Sequence, residues 1–358
     1  MHKTLIMALC AFSVFTSSMA QEGKNLKEAY KDYFLIGVAV NQRNISDPSQ
    51  SSLVKREFSS MTAENDMKPV SVHPRDGVWT WESADRVANF CRQNGIKLRG
   101  HALMWHNQMC EWMFYDEQHN LVGKEVLFQR MREHIHTVVN RYKDIVYAWD
   151  VFNEAIKDGP RDPNTPDQPL RESTFYKICG NDEFIRKAFQ YAREADPNAL
   201  LFYNDYNECD PTKCDRICEM IKEMKAAGVP IDGVGMQGHY NIHGPSAEDI
   251  EAAVSKYAQV VDHIHMTELD IRANWEMGGQ LEFSQNKEAT ITEEIKKKQD
   301  AKYNDVFSIM RKHADKVDCV TFWNLSDRDS WLGVNNYPLL FDKEYKPKSA
   351  YYIVRDFK

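Results

Sequence analysis

The chain has 358 residues, of which 42% are hydrophobic and 27% charged, and its formal net charge is -8. This composition is that of a folded globular protein and is too apolar for an intrinsically disordered one. The acidic balance has no compensating basic stripe, which excludes an electrostatic hold on nucleic acid or on an anionic membrane, since both need clustered Lys and Arg.

The first twenty residues have the pattern of a secretory signal. His2 and Lys3 precede an apolar run from Leu5 to Phe15, and small residues stand three and one before a cleavage point after Ala20. The run is too short to span a bilayer, and a buried or anchoring helix is the alternative. We therefore predict a signal peptide at residues 1–20, export to the periplasm or the medium, and one mature domain at residues 21–358.

Short, almost continuous apolar segments then alternate with amphipathic stretches, as in a buried parallel sheet with covering helices. The predicted strands are 34–40, 59–64, 96–103, 145–152, 199–203, 233–238, 261–268 and 317–323. The predicted helices are 84–94, 126–142, 182–196, 215–227, 247–259 and 302–314. The alternation predicts an α/β fold, a single-domain (β/α)8 TIM barrel. An open doubly wound sheet is the alternative, but no G-x-G-x-x-G turn follows the first strand.

Polar side chains collect at the carboxyl ends of the predicted strands, where such a barrel carries its active site. Seven of the eight ends have carboxylates, amides, histidines or tryptophans. In chain order they are Glu64, Asn65, Lys68; His101, Trp105, His106, Gln108; Asn153, Glu154; Asn204, Asp205, Tyr206, Asn207; Gln237, His239; Glu268, Asp270; Trp323, Trp331. This concentration predicts a functional site.

The residue types favour a neutral, polyhydroxylated ligand, because amides bond hydroxyl groups and indole faces stack on sugar rings. A phosphate site would need several cations, and Lys68 is the main one here. His101 with His106, or His263 with His265, is a rival metal site, but no compact set of His and carboxylate ligands recurs. For His263 and His265 we favour a packing role. We predict no metal and no cofactor.

The cysteines do not form a disulfide framework. Without Cys10, seven of the eight remain, an odd number spread thinly over a long chain. Cys209, Cys214 and Cys218 are the only cluster, and their spacing fits no common zinc motif. We expect either buried thiols or one local disulfide.

Two carboxylates on different strands, Glu154 and Glu268, indicate glycoside hydrolysis, in which one is the acid/base and the other the nucleophile or base. Gln237 and His239 lie two apart, as do Glu268 and Asp270, so each pair shares one face of a strand. His239 can then bridge Glu268 and Asp270 and keep the nucleophile ionised. From composition alone, either glutamate could equally be a strand-end or helix-capping acid.

Six segments at these strand ends carry specific motifs in a characteristic order. They are GHALMWHNQ at 100–108, WDVFNEA at 149–155, LFYNDYN at 201–207, GVGMQGH at 233–239, HMTELDI at 265–271 and FWNLSDRDSWL at 322–332. Together they resemble glycoside hydrolase family 10, the retaining endo-β-1,4-xylanases, along essentially the whole mature chain. The resemblance implies a (β/α)8 catalytic domain at 21–358 that acts on xylan or xylo-oligosaccharides. We expect it to be a monomer.

Carried over position by position, the resemblance implies that Glu154 is the acid/base and Glu268 the nucleophile, supported by His239 and Asp270. Asn153 is implied to bond the sugar 2-hydroxyl beside the nucleophile. The implied glycone-side pocket consists of Glu64, Asn65, Lys68, His101, Trp105, Gln108, Gln237, Trp323 and Trp331. On the leaving-group side the implied residues are Tyr206 and Asn207.

The chain departs from the family pattern in three places. Cys110 stands where the family usually has Pro, so the loop after the third strand is expected to take a different path. Segments 159–170 and 273–292 are longer than a minimal barrel needs, and they would either extend the binding site or decorate its rim.

The implied mechanism is double displacement, for which the two carboxyl groups must lie about 5–5.5 Å apart. One alternative is a β-glucanase or mixed-specificity hydrolase, since the pocket around Glu64, Lys68 and Trp331 decides whether a C6 hydroxymethyl group fits. Another is a catalytically inactive barrel that binds carbohydrate or inhibits a hydrolase, which the presence of both glutamates disfavours. A structural exported protein would leave the strand-end residues unexplained.

Overall fold

The structure, a computed structural model, describes residues 24–160, 168–273 and 291–358. The predicted signal peptide lies outside these residues, as do most of the two long segments, 159–170 and 273–292. Among the helices that the structure does describe, none combines the length and the apolarity that crossing a membrane requires.

Eight parallel strands close into a barrel. The described strands are β1 (Leu35–Val40), β2 (Ser60–Ala63), β3 (Lys97–Gly100), β4 (Met104–Trp105), β5 (Val146–Asn153), β6 (Leu200–Asp205), β7 (Gly233–Met236), β8 (His239–Asn241), β9 (His263–Arg272) and β10 (Val317–Phe322). The barrel order is β1-β2-β3-β5-β6-β7-β9-β10, and β10 pairs with β1 to close it. The predicted barrel is confirmed, and the open sheet is excluded.

The two remaining strands are short and extend the barrel at its mouth. Strand β4 pairs with the end of β5, and β8 pairs with the end of β9. In the second pairing His239 lies opposite Asp270. Both barrel strands end later than the sequence predicts, β5 at Asn153 and β9 at Arg272, because these extra pairings continue the ladder past the apolar run. As a result Asn153 and Asp270 lie within strands, as Glu268 does.

Helices cover the barrel between successive strands, and the first and last described helices lie before β1 and after β10. They are α1 (Leu26–Ala29), α2 (Gln42–Ser46), α3 (Pro48–Glu57), α4 (Pro69–Val72), α5 (Glu82–Asn94), α6 (Lys124–Tyr142), α7 (Thr174–Cys179), α8 (Glu183–Ala195), α9 (Pro211–Ala226), α10 (Ala247–Tyr257), α11 (Glu293–Lys312) and α12 (Ser349–Arg355). The sequence predicts that α9 begins at 215 and α11 at 302, but both helices begin earlier, at Pro211 and Glu293. Asp210 caps α9 before a proline at its first position, and Thr292 caps α11.

A buried ion pair fills the barrel below the site. Arg99 is 1% exposed and donates to both carboxylate oxygens of Asp150, which is fully buried. The Arg99 Nε also donates to Nδ1 of His265, 3.2 Å away. His265 is therefore a core histidine, and His263 pairs with Asp318 at 2.7 Å. A bidentate pair satisfies both charges, which a buried Arg requires.

Close backbone packing and free thiols complete the core. At Gly100, the last residue of β3, a Cβ would lie 2.1 Å from the ring of Trp149, so only glycine fits beside this indole. The seven cysteines after residue 20 are free thiols, six of them buried and Cys110 partly exposed. The buried-thiol alternative is therefore the one that the structure has.

Candidate active site

Glu154 lies directly after β5 and turns its carboxyl group into the barrel mouth. Its backbone φ is 57°, the left-handed region that is uncommon for residues other than glycine. Trp105 Nε1 donates to its Oε2 at 2.8 Å, and Gln237 Nε2 donates to its Oε1 at 2.9 Å. Asn153 Nδ2 donates to the same Oε1 at 3.1 Å. Three uncharged donors thus orient this carboxyl group.

Glu268, within β9, is held by different groups. Asn204 Nδ2 donates to its Oε1 at 2.8 Å, and His239 Nε2 lies 3.2 Å from its Oε2. The other ring nitrogen of His239 lies 2.9 Å from Asp270 Oδ2, to which Trp331 Nε1 also donates at 2.9 Å. His239 therefore bridges the two carboxylates, in the position that the two-residue spacing predicts.

These contacts determine the ionisation states of Glu268 and His239. Burial raises the pKa of Glu268, but the hydrogen bond from His239 and the charges of His101 and His239 outweigh it and lower the pKa to about 2. Burial lowers the pKa of His239, but the carboxylates of Asp270 and Glu268 raise it to about 10. At neutral pH Glu268 is therefore a carboxylate beside an imidazolium.

Asn204, at the end of β6, connects the two glutamates. Its Nδ2 donates to Glu268 and also, at 2.8 Å, to Oδ1 of Asn153 beside Glu154. Its own Oδ1 accepts from Thr267 Oγ1 at 2.6 Å, which fixes the orientation of the amide. The sequence places Asn204 at a strand end but assigns it no role. Its position in the LFYNDYN segment is the one signal that it belongs to the site.

The predicted glycone-side residues form one cluster around Lys68. Its Nζ donates to Asn65 Oδ1 at 3.0 Å and to Gln108 Oε1 at 2.9 Å, and lies 5.1 Å from the Trp105 ring centroid. Burial lowers the pKa of Lys68, opposed by the charges of Glu268 and Glu64. For Glu64, burial raises the pKa and the charge of Lys68 opposes it. The ammonium group is therefore held in place among polar partners.

Aromatic and histidine rings form the remaining side of this pocket. His101 lies 2.9 Å from Asp150 through Nδ1 and meets the Trp323 ring edge-on, with centroids 5.3 Å apart. Trp331 lies edge-on to His239, with centroids 5.1 Å apart, and is 39% exposed. Trp323 is buried, so of these two indoles it is Trp331 that presents more surface to a ligand.

Tyr206 and Asn207 lie directly after β6 and make a separate set of polar contacts. Both donate to Asp158, at 2.6 and 3.2 Å respectively. Arg171 donates to the Tyr206 hydroxyl at 2.8 Å, and the Lys213 Nζ lies 3.9 Å from the centre of the Tyr206 ring. The sequence reasoning missed Asp158, Arg171 and Lys213, because their partners are distant along the chain.

A cleft continues from this point. Its volume is about 410 Å³, and it runs past Asn207 and His239 towards Gly244 and Pro245. Within the described parts of the chain, no three His, Cys, Asp or Glu side chains are grouped so that they could hold a metal ion. The site thus consists of two carboxyl groups in a polar, aromatic cleft.

Comparisons with known proteins agree on one family. The family model described as Glycosyl hydrolase family 10 matches residues 25–357. The chain is 53% identical to an endo-1,4-beta-xylanase/feruloyl esterase of Xylanibacter ruminicola, over 99% of this chain but 51% of that protein, so it spans about half of that relative's length. It is 39% identical to endo-1,4-beta-xylanase B of Paenibacillus barcinonensis, over 93% of this chain and 98% of that protein.

Solved structures lead to the same result. A psychrophilic glycoside hydrolase family 10 endo-beta-1,4-xylanase superposes with a TM-score of 0.89 at 56% identity, covering 94% of this chain and all of that one. The xylanase XynB from Paenibacillus barcinonensis, complexed with a conduramine derivative, has a TM-score of 0.85 at 38% identity over 94% and 99% of the two chains. The chain belongs to glycoside hydrolase family 10.

Proposed function

We propose that this glycoside hydrolase is an endo-acting β-1,4-xylanase that cleaves xylan and xylo-oligosaccharides with net retention. The observation that carries the proposal is the difference between its two glutamates. Glu268 is held as a carboxylate by His239, whereas the side chains in the described residues that donate to the Glu154 carboxyl group are uncharged. Relatives and solved structures named as endo-1,4-beta-xylanases support the substrate class.

In the first step, a carboxylate oxygen of Glu268 attacks the anomeric carbon as the bond to the leaving-group oxygen breaks. Glu154 donates its proton to that oxygen, so that the departing sugar leaves as a neutral alcohol. The His239–Asp270 pair keeps Glu268 ionised before the attack and orients it. The amide of Asn153, which Asn204 orients, would bond the 2-hydroxyl of the reacting sugar.

In the second step, water replaces the departed sugar. Glu154, now a carboxylate, takes a proton from the water as its oxygen attacks the anomeric carbon. The bond to Glu268 breaks and returns the carboxylate, so two inversions give net retention. The uncharged donors around Glu154 suit this exchange, because they can bond the carboxyl group in either protonation state.

The chemistry of the cleft supports a neutral polysaccharide. Amides, histidines and indoles supply most of its polar contacts, and Lys68 is already engaged by Asn65 and Gln108. Tyr206 and Asn207 would meet the leaving-group sugars. We also propose that the chain is exported by its first twenty residues and acts as a monomer. The N-terminal sequence of the secreted product and sedimentation equilibrium test these two points.

The first test is reducing-sugar release from xylan and from carboxymethylcellulose. We expect release from xylan only. Release from both would establish the mixed-specificity alternative, and release from neither would establish the inactive barrel. Proton NMR of the initial product, which should be the β-anomer, tests retention, and an initial α-anomer would refute it.

The two glutamates can be told apart by rescue with azide. Glu268→Ala should abolish xylan hydrolysis, and azide should then convert an activated aryl xyloside to the α-glycosyl azide. Glu154→Ala should instead give the β-glycosyl azide, because its covalent intermediate still forms. Glu251, which pairs with Lys312 on the surface, offers a control: Glu251→Ala should keep full activity. Unchanged xylan hydrolysis by Glu268→Ala would refute the assignment.

A further inference from the structure

The backbone around Glu154 is held by contacts from the neighbouring strand β6 and from Arg171. Its N–H donates to the Asn204 carbonyl at 2.9 Å, and its carbonyl accepts from Arg171 Nε at 3.2 Å. The next two N–H groups, of Ala155 and Ile156, have no backbone acceptor among the described residues. Both donate to the hydroxyl oxygen of Tyr203, at 2.9 and 3.0 Å. The Tyr203 hydroxyl thus accepts both of the backbone N–H groups that follow the proposed acid/base.

The Tyr203 hydroxyl can accept both N–H groups because its own proton goes elsewhere. Tyr203 is fully buried and donates to Oδ2 of Asp205, which is also fully buried. Burial and the charge of Asp205 raise the pKa of Tyr203 well above its ordinary value, so the hydroxyl keeps its proton. Oδ1 of Asp205 pairs with Lys213 at 2.8 Å, which completes the neutralisation of this buried carboxylate.

The same lysine extends the network to the proposed leaving-group side. Lys213 also pairs at 2.8 Å with Asp158, the residue to which Tyr206 and Asn207 donate. Asp158 lies four residues after Glu154, so the loop is tied down at both ends. A contact between the leaving-group sugar and Tyr206 would therefore act on the same network that fixes the acid/base backbone.

We propose that Tyr203 and Asp205 are positioning residues that set the placement of the proton-donating carboxyl group of Glu154 without touching the substrate. The left-handed backbone at Glu154 makes such support necessary, because a strained conformation persists only where its surroundings determine it. A displacement of about 1 Å in a catalytic group can cost about a hundredfold in rate. The inference rests on the role proposed above for Glu154.

The test compares two substrates that differ in their need for a proton. Xylohexaose releases a sugar alcohol and needs acid catalysis, whereas 2,4-dinitrophenyl β-xylobioside releases a stable phenolate and does not. For Tyr203→Phe we expect kcat/KM on xylohexaose to fall between about tenfold and a hundredfold. On the dinitrophenyl substrate it should fall less than about threefold, because nucleophilic attack by Glu268 is untouched.

Two further variants make the test decisive. Asp205→Asn removes the charged acceptor of the Tyr203 proton and should give the same substrate-selective loss. Tyr257 is equally buried, and its hydroxyl donates to a backbone carbonyl at 2.9 Å, so Tyr257→Phe is the matched control and should leave the substrate ratio unchanged. An equal loss on both substrates, or no loss on xylohexaose, would overturn the inference. A wild-type chain inactive on both substrates would instead overturn the proposed function.

Discussion

His239 is the group whose removal should change the pH dependence of activity most clearly. It provides Glu268 with a hydrogen bond and with a positive charge. His239→Asn removes the charge, and burial then dominates the pKa of the carboxyl group. We expect that pKa to rise from about 2 towards, or above, its ordinary value of 4.5. Only the carboxylate is nucleophilic. As the pH is lowered, the variant should therefore lose activity at a higher pH than the wild type does.

The size of the effect follows from the depressed pKa. Lowering the pKa from 4.5 to about 2 corresponds to about 3 kcal/mol in favour of the ionised form. The hydrogen bond from His239 is the largest of the effects that oppose burial, followed by the charges of His101 and His239 and by the hydrogen bond from Asn204. The acid limb of kcat/KM should therefore move up by about 2 pH units or more. At pH 4 the variant should retain between about a half and a quarter of its plateau activity, and less if the pKa rises above 4.5, whereas the wild type keeps nearly all of it.

The assay is kcat/KM for 2,4-dinitrophenyl β-xylobioside between about pH 3 and pH 8, because this substrate reports the nucleophile without the acid. His263 offers a matched control: it also pairs with a carboxylate, Asp318, but lies at the opposite end of β9. His263→Asn should leave the profile in place. An acid limb that stays where it is in folded His239→Asn protein would refute the electrostatic reasoning.

Two further predictions concern stability. Gly100→Ala should lower the free energy of unfolding by about 3 kcal/mol or more, because its Cβ would lie 2.1 Å from the Trp149 ring. Gly123→Ala is the control: a Cβ there would meet open space, so this variant should lose less than about 1 kcal/mol. Equal melting temperatures of the two variants would contradict this. Burial lowers the pKa of His73 to about 4 and that of His134 to about 3, from an ordinary value of 6.5. As the pH drops below 6.5, these histidines take up protons in the unfolded chain before they do so in the folded one, so the stability should fall. His134→Gln should flatten this decline, and an unchanged slope would show that the pair is not responsible.

The barrel was predictable because its strands are buried on both faces and therefore appear as apolar runs. The end of each run was less informative. Strand β9 continues to Arg272 because β8 pairs beside it, and the sequence alone has no signal for that short pairing. Helix α11 begins at Glu293 although its first turns are charged, because those turns face solvent. Local patterns thus predict elements better than they predict boundaries set by neighbours.

The site was predictable where chemistry and strand ends coincide. Glu154, His239 and Glu268 stand out because polar residues interrupt apolar runs at the expected edge. Their supporting groups do not stand out. Tyr203 is indistinguishable in the sequence from any other aromatic residue in a strand, and Arg99 meets Asp150 only through folding. Contacts between residues distant along the chain decide such roles, and no single-sequence pattern encodes them.

The buried charged residues between Arg99 in the barrel core and Glu268 in the active site restrict how this protein can evolve. Arg99 pairs with Asp150, Asp150 also bonds His101, and His239 lies between Glu268 and Asp270. If any one of these residues is replaced, its charged partner is left unpaired in the protein interior, which cannot solvate it. Neutral drift here should therefore proceed only through compensated double changes, while adaptation to new polysaccharides is left to the surface loops, where substitutions can accumulate one at a time.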